Sequence, residues 1–236
     1  MSLKLTDFHN KHKDNDIYII ASGKSLDYID ESFFNNKICI GVNQSYKKII
    51  TQYLVRKENA LLLEIIKNDT LKNVIHFVSA GNCGGLNLQN KKEIDKLSEE
   101  NKQNICIYGH NKNTQNITSI PELRNNQLFV SYSTITTAIY LAYYMGAKNI
   151  ILVGHDCGLI NNESNFNGYH TKQTISIAWK GDSQNKYNNW LNVIENDTII
   201  LKKYLNTKNV NVLSLNPFIN FNLEGHIYSN SKNKIN

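Results

Sequence analysis

Residues 131–158 read SYSTITTAIYLAYYMGAKNIILVGHDCG, and their pattern decides the fold. Ile135, Ile139, Ala142 and Met145 recur at helical spacing, with Ala138 and Leu141 widening the apolar stripe. Gly146 stops the pattern, which predicts a helix over 133–145. The run NIILV at 149–153 follows as a buried strand and ends at Gly154-His155-Asp156. A helix feeding an uninterrupted apolar strand is the repeating unit of a parallel sheet.

The same alternation continues on both sides of this unit. Residues 16–21 (DIYIIA) read as a strand stopping at Ser22-Gly23, 25–34 as a short helix with Ser25 near its cap, and 37–42 (KICIGV) as a second strand. A weaker strand covers 51–55, a helix 58–68, and a strand 74–78 that runs into the small-residue loop 79–85 (SAGNCGG). Residues 90–101 read as a solvated helix, with further strands at 105–108 and 127–130. After the central unit comes a polar loop of roughly 157–185, too long for a mere connector. A long helix over 186–206, a strand over 210–215 and a tail, 216–236, carrying Glu224-Gly225-His226 complete the chain. The pattern predicts an α/β fold: one Rossmann-like domain over 1–236, with a mainly parallel sheet and helices on both faces. Residues 1–15 form an N-terminal extension and 157–185 an active-site loop insertion.

Composition limits the function. A chain of 236 residues with 41% hydrophobic and 19% charged residues is globular and buries a core large enough to fold without disulfides. The net charge of +6 suits an anionic ligand, but the basic residues are scattered, without an Arg-rich block, which disfavours a nucleic-acid binder. Cys39, Cys83, Cys106 and Cys157 show no CxxC spacing and read as reduced thiols rather than a zinc site or a secreted framework. No apolar stretch approaches a membrane span and no signal peptide is visible, so the expected location is cytoplasmic. Homo-oligomerisation is left open.

In open α/β sheets ligands bind at the carboxyl ends of the strands, and every polar cluster of interest follows a predicted strand. Ser22, Gly23, Lys24 and Ser25 form a turn whose glycine permits a phosphate to approach and whose helix start offers N–H groups. The GKS triplet is not a P-loop, because Tyr18 holds the position of the earlier glycine, and no GxGxxG is present. Asn43 and Gln44 end the second strand with amides suited to a base or ribose. Ser79 and Gly81 lie in the small-residue loop. Ser131, Ser133 and Thr134 bring hydroxyls to a helix N-terminus, a natural anion site, and Gly154 precedes Asp156 at the end of the most apolar strand. Asp156 is placed to hold a ribose hydroxyl, a metal or a substrate amine. His170, beside Tyr169 and near Glu163 and Asp182, is the loop's acid–base candidate. His155, Asp156, Cys157 and His170 match no metal-ligand spacing, so no metal or firm cofactor is assigned.

The segment 131–158, with its Ser/Thr-rich helix start and its "LA..MG...I.LVG.D" strand end, resembles the motility accessory factor and 6-hydroxymethylpterin diphosphokinase-like family. The turn Ala21-Ser22-Gly23-Lys24-Ser25-Leu26 resembles that family's "G-x-G-P-S-L", with Lys24 where proline is usual. Both segments, and Val42-Asn43-Gln44-Ser45-Tyr46, are also similar to small bacterial sialyltransferases that use a CMP-activated sugar, whose "CNQ" strand end corresponds to Val42-Asn43-Gln44. The resemblance implies a nucleotide-dependent transferase, glycosyltransferase-like, acting in surface-glycan or flagellin modification. Its substrates are then a nucleotide-sugar donor and a glycan or small-molecule acceptor. The resemblance to pterin kinases implies instead ATP with Mg²⁺ and diphosphoryl transfer to a 6-hydroxymethylpterin. The third expectation is a non-catalytic nucleotide-binding module.

Overall fold

The computed structural model describes residues 3–57, 62–80, 92, 94–97, 99, 102–112, 127–131, 133–161, 163–169, 184–217 and 222–224. Nine strands form one sheet in the order β6-β5-β4-β3-β2-β1-β7-β8-β9. They are β1 (Asp16–Ile20), β2 (Ile38–Val42), β3 (Tyr53–Arg56), β4 (Ile75–Ser79), β5 (Ile105–Lys112), β6 (Gln127–Val130), β7 (Asn149–Val153), β8 (Asn211–Asn216) and β9 (Asn222–Glu224). The first eight run parallel, as an α/β Rossmann-like architecture requires, and β9 pairs antiparallel with β8. From β1 the chain steps outward through β2 to β6, then returns to lay β7 on the other side of β1, with Ile20 opposite Val153. That reversal is the topological switch point, where such sheets open a crevice at their carboxyl edge. The expected helix–strand unit is what sets it: NIILV has its last four residues buried and lies between β1 and β8.

Helix α1 covers Leu62–Ile66, α2 Thr134–Tyr144 and α3 Gln184–Asn206. Ser133 caps α2, its hydroxyl accepting the Ile135 N–H at 3.3 Å, and Gly146 leaves the helix with φ of +86°. The sequence stripe suggested one apolar face, yet Thr134 through Ala142 are all buried. The reason is that Ile194, Leu201 and Leu205 of α3 pack in the same core as Ile135, Ala138, Ile139 and Leu141 of α2, while α2 itself lies on the sheet. A second core on the opposite face joins Ile20, Ile151 and Val153 to Leu26, Ile29, Phe34 and Phe166.

Several expectations change. The single helix over 25–34 is two 3₁₀ turns, Lys24–Tyr28 and Glu31–Phe34. Asp30 breaks the run by accepting the Ser32 N–H on its own side chain at 2.8 Å, which starts a new turn. The N-terminal extension belongs to the fold: Leu5 and Phe8 are core residues, and the amides of Asn10, His12 and Asp14 donate to the carbonyls of Tyr144, Met145 and Gly146. Those bonds satisfy carbonyls at and just beyond the C-terminal end of α2. β9 falls inside the expected tail, so Glu224 is a strand residue, while Gly225 and His226 lie outside the described residues. Of the two expected helices over 58–68 and 90–101, residues 58–61, 90, 91, 93, 98, 100 and 101 also lie there, and the first range carries α1. Cys39 and Cys106 are buried free thiols, pushed up to about 12 by burial. Among the described residues no helix is long and apolar enough to cross a membrane.

Candidate functional site

The carboxyl edge of the sheet divides into two halves of opposite character. At the switch point the ends of β1 and β7 are bonded to one another. Ala21 N donates to Val153 O at 2.8 Å and Gly23 N to Gly154 O at 2.6 Å. Ser25 gives both its amide (2.8 Å) and its hydroxyl to the two oxygens of Asp156. Asp156 is only 3% exposed; burial pushes its carboxyl up to about 6, and the two Ser25 bonds pull the other way. Gly23 has an ordinary φ of −67°, so the turn needs no left-handed residue there. What requires glycine is crowding: a Cβ would stand 2.5 Å from Asp156 Oδ2 and closer still to the Gly154 carbonyl. Gly154 itself has φ of +66°. The N–H groups of Gly23, Ser25 and Leu26 are thus spent within the protein, Leu26 donating to Gly23 O at 3.1 Å.

His155 faces away from this pair. Its Nε2 lies 3.1 Å from Thr198 Oγ1, and that hydroxyl donates to the Ile194 carbonyl at 2.9 Å. The hydroxyl therefore accepts from the imidazole, which ties β7 to α3 as a neutral ring. Burial lowers the His155 imidazole to about 4. Among the described residues no three His, Cys, Asp or Glu side chains form a metal-holding group. Each oxygen of Asp156 accepts one hydrogen bond from Ser25.

The described part of the 157–185 insertion folds back over the β1 turn. Buried Lys24 pairs with Asp27 at 3.1 Å and with Glu163, and donates to Asn167 Oδ1 at 2.9 Å. Glu163 is the largest of the influences that raise its ammonium pKa. Asn165 Nδ2 reaches Ser22 O (3.1 Å) and Oγ (3.2 Å), and Phe166 N donates to Ser22 O at 3.2 Å. Tyr169 donates its hydroxyl to Gln44 Oε1 at 3.1 Å, and Lys47 holds the Tyr169 carbonyl at 2.9 Å. Ser22, Lys24 and Gln44, expected at a nucleotide, here seat the loop that carries Tyr169. His170, Asp182 and Gly81 lie outside the described residues.

The other half of the edge spans β3 to β6. Arg56, 3% exposed, donates to the Asn43 carbonyl at 3.2 Å, and Asn43 has φ of +53°. Lys57 reaches across to the Ser131 carbonyl at 3.2 Å. The hydroxyls of Ser131 and Thr136 lie 2.8 Å apart, Thr136 also donates to Ser133 O, and Thr134 opens α2. Ser79 Oγ lies 2.5 Å from His110 Nε2, and the His110 ring stacks on Tyr108 at 5.9 Å and 24°. Tyr108 is fixed in turn by donating to the Arg56 carbonyl at 2.8 Å. The elements β3, β4, β5, β6 and α2 contain no Asp or Glu, whereas Asp27, Asp156 and Glu163 crowd the switch-point half.

Sequence reasoning missed Arg56, Lys57, Tyr108 and His110. The signal was strand length: β5 runs to Lys112, and its period-two alternation carries Cys106 and Tyr108 on to His110 on the face of α2. Compared with family models, curated proteins and solved structures, the chain matches none of them.

Proposed function

We propose that the protein is a nucleotide-dependent transferase of the glycosyltransferase type, using a nucleotide-activated sugar. The observation that carries this reading is that, among the described residues, β3 to β6 and α2 bring basic groups and no carboxylate to one half of the carboxyl edge, while Asp27, Asp156 and Glu163 gather at the other. A donor's phosphates suit the basic half, beside Arg56, Lys57, the Ser133 and Thr134 hydroxyls and the N-terminus of α2. The β1 turn suits them less than its sequence implied, because its amides already serve Asp156. Asn43 and Gln44 lie between the halves, in reach of a nucleoside. A hydroxyl-rich sugar or acceptor belongs at the acidic half with Asp156, under the loop of Tyr169 and its neighbour His170, the acceptor's base. Deprotonation by such a base is typically worth about 10²–10⁴ in rate.

One observation favours the non-catalytic alternative: Asp156 is fully engaged by Ser25 and holds the turn closed. ATP-dependent diphosphoryl transfer to a pterin is the remaining alternative. A thermal-shift panel of CMP, CDP, UDP, ADP and ATP, with and without Mg²⁺, tests all three. A ligand bound at 100 times its Kd stabilises the native state by about 2.7 kcal/mol, a clear rise in Tm. A cytidine or uridine response supports the sugar-transferase reading and an ATP response with Mg²⁺ the kinase. No response to any member at millimolar concentration refutes a nucleotide site.

A further inference from the structure

Residues 163–169 meet the polar side chains of the switch point with contacts of the kind a ligand would make. The Asn165 amide donates to the carbonyl and hydroxyl of Ser22. The Glu163 carboxylate and the Asn167 amide oxygen take the Lys24 ammonium, and the Tyr169 hydroxyl donates to Gln44 Oε1. The strap has two unequal ends. Phe166 is only 2% exposed, in the second core with Ile20, Leu26 and Val153, and its amide donates to Ser22 O. Asn167 adds a bond from its own amide to Asp27 Oδ2 at 2.9 Å. This end is anchored by burial as well as by polar contacts. Tyr169 lies half-buried at the margin of that core. Its amide donates to Phe166 O at 3.2 Å, and its ring meets that of Phe166 edge-on at 5.4 Å and 84°. Between the two ends is Gly168, exposed, with φ of +84°. Among the described residues nothing lies within 4 Å of where a Cβ would stand there. The seated strap therefore depends on a glycine conformation, not on packing, at the point where its ends join.

We propose that residues 163–169 form an autoinhibitory strap, and that a nucleotide reaching Gln44 displaces its Tyr169 end by a turn at Gly168 while Phe166 stays anchored. The inference rests on the nucleotide reading above, which puts the nucleoside at Asn43 and Gln44. The Tyr169 hydroxyl stands where a nucleoside donor to Gln44 Oε1 would stand. Apparent affinity is then the intrinsic affinity reduced by the fraction of molecules whose strap is open. Gly168→Ala changes that fraction without altering a side chain that meets the ligand. Alanine at this φ disfavours the seated strap and raises the open-to-seated ratio about 5–30-fold.

The test combines hydrogen exchange of the full-length protein, read at the amides of Phe166 and Tyr169, with calorimetric titration by CMP, UDP and ATP. Without ligand, Tyr169 exchanges about 5–30-fold faster in Gly168→Ala than in the wild type, and Phe166 is unchanged. A nucleotide binds the variant at least about threefold more tightly than the wild type, and in the wild type its binding speeds exchange at Tyr169. A nucleotide that binds both proteins equally, or that slows exchange at Tyr169 in the wild type, overturns the strap and leaves the nucleotide site standing. Tyr169 exchange that is the same in both proteins overturns it as well. A nucleotide that binds the variant alone supports both the strap and the site. Failure of both proteins to bind any of the three refutes the strap together with the nucleotide reading. The wild-type exchange measurement needs no variant to fold.

Discussion

Replacing Asp156 by Asn isolates the cost of burying that carboxylate. The Asn side chain mimics the protonated acid: its Oδ1 accepts the Ser25 amide and its Nδ2 donates to Ser25 Oγ, preserving both bonds of the native pair. Burial raises Asp156 from 3.8 to about 6, so its contribution to stability is fully present below pH 3.8 and is lost as pH rises through 6. At 1.36 kcal/mol per pH unit the whole effect is about 3 kcal/mol, of which about 2 kcal/mol falls between pH 4.5 and 7.5. His155 next door works in the opposite sense. Burial lowers it to about 4 from 6.5, so its contribution is present above pH 6.5 and lost as pH falls through 4. In the native protein the two neighbours largely offset each other across this range. Asp156→Asn removes one side, leaving a variant that acid destabilises more steeply than the wild type. Urea denaturation at half-unit pH steps should show the variant's stability, relative to wild type, rising by about 2 kcal/mol between pH 4.5 and 7.5. A difference that stays flat within 1 kcal/mol over that range would refute the burial argument.

Gly23→Ala is expected to cost about 1–3 kcal/mol in the absence of any ligand, because the new methyl meets the Gly154 carbonyl and Asp156. An unchanged urea midpoint would show that the ends of β1 and β7 lie further apart. Lys24→Met should loosen the loop it holds, and a loss of about 1 kcal/mol in loop closure speeds chymotryptic cleavage after Phe166 or Tyr169 about fivefold. Equal cleavage rates would mean that the Asn165 and Phe166 contacts hold the loop by themselves. His170→Ala should leave nucleotide affinity within about threefold while turnover of the donor drops at least about a hundredfold. Turnover that survives the change removes His170 from the reaction.

What the sequence disclosed was the part governed by local periodicity. NIILV, KICIGV and DIYIIA each became neighbouring central strands, and the Ser133 cap and Gly146 bounded α2 closely. Placing Asp156 and Gly23 at strand ends was equally local. Their meeting was not: Ser25 and Asp156 are 131 residues apart, and only the parallel pairing of β1 with β7 brings them together. That long-range contact turned an expected phosphate turn into an internally satisfied one. His110 was hidden for a different reason, since the run ICIYGH passes through Gly109, where the apolar pattern stops. The N-terminal segment was read as an extension because its bonds go to Tyr144, Met145 and Gly146, which no window of sequence joins to it.

The reversal of strand order has a consequence for how the chain is made. β1 is flanked on both sides in the finished sheet only because β7 is inserted beside it, roughly 130 residues after it leaves the ribosome. At about 5–20 residues per second, that interval is about 6–26 s. Until then the half-sheet β1 to β6 presents the unpaired backbone N–H and C=O groups of β1 as an open rim, a template for pairing with other chains. The most protected strand of the mature molecule is thus the most vulnerable one during synthesis, and closure of the sheet must await a parallel contact of high sequence separation, the slow kind.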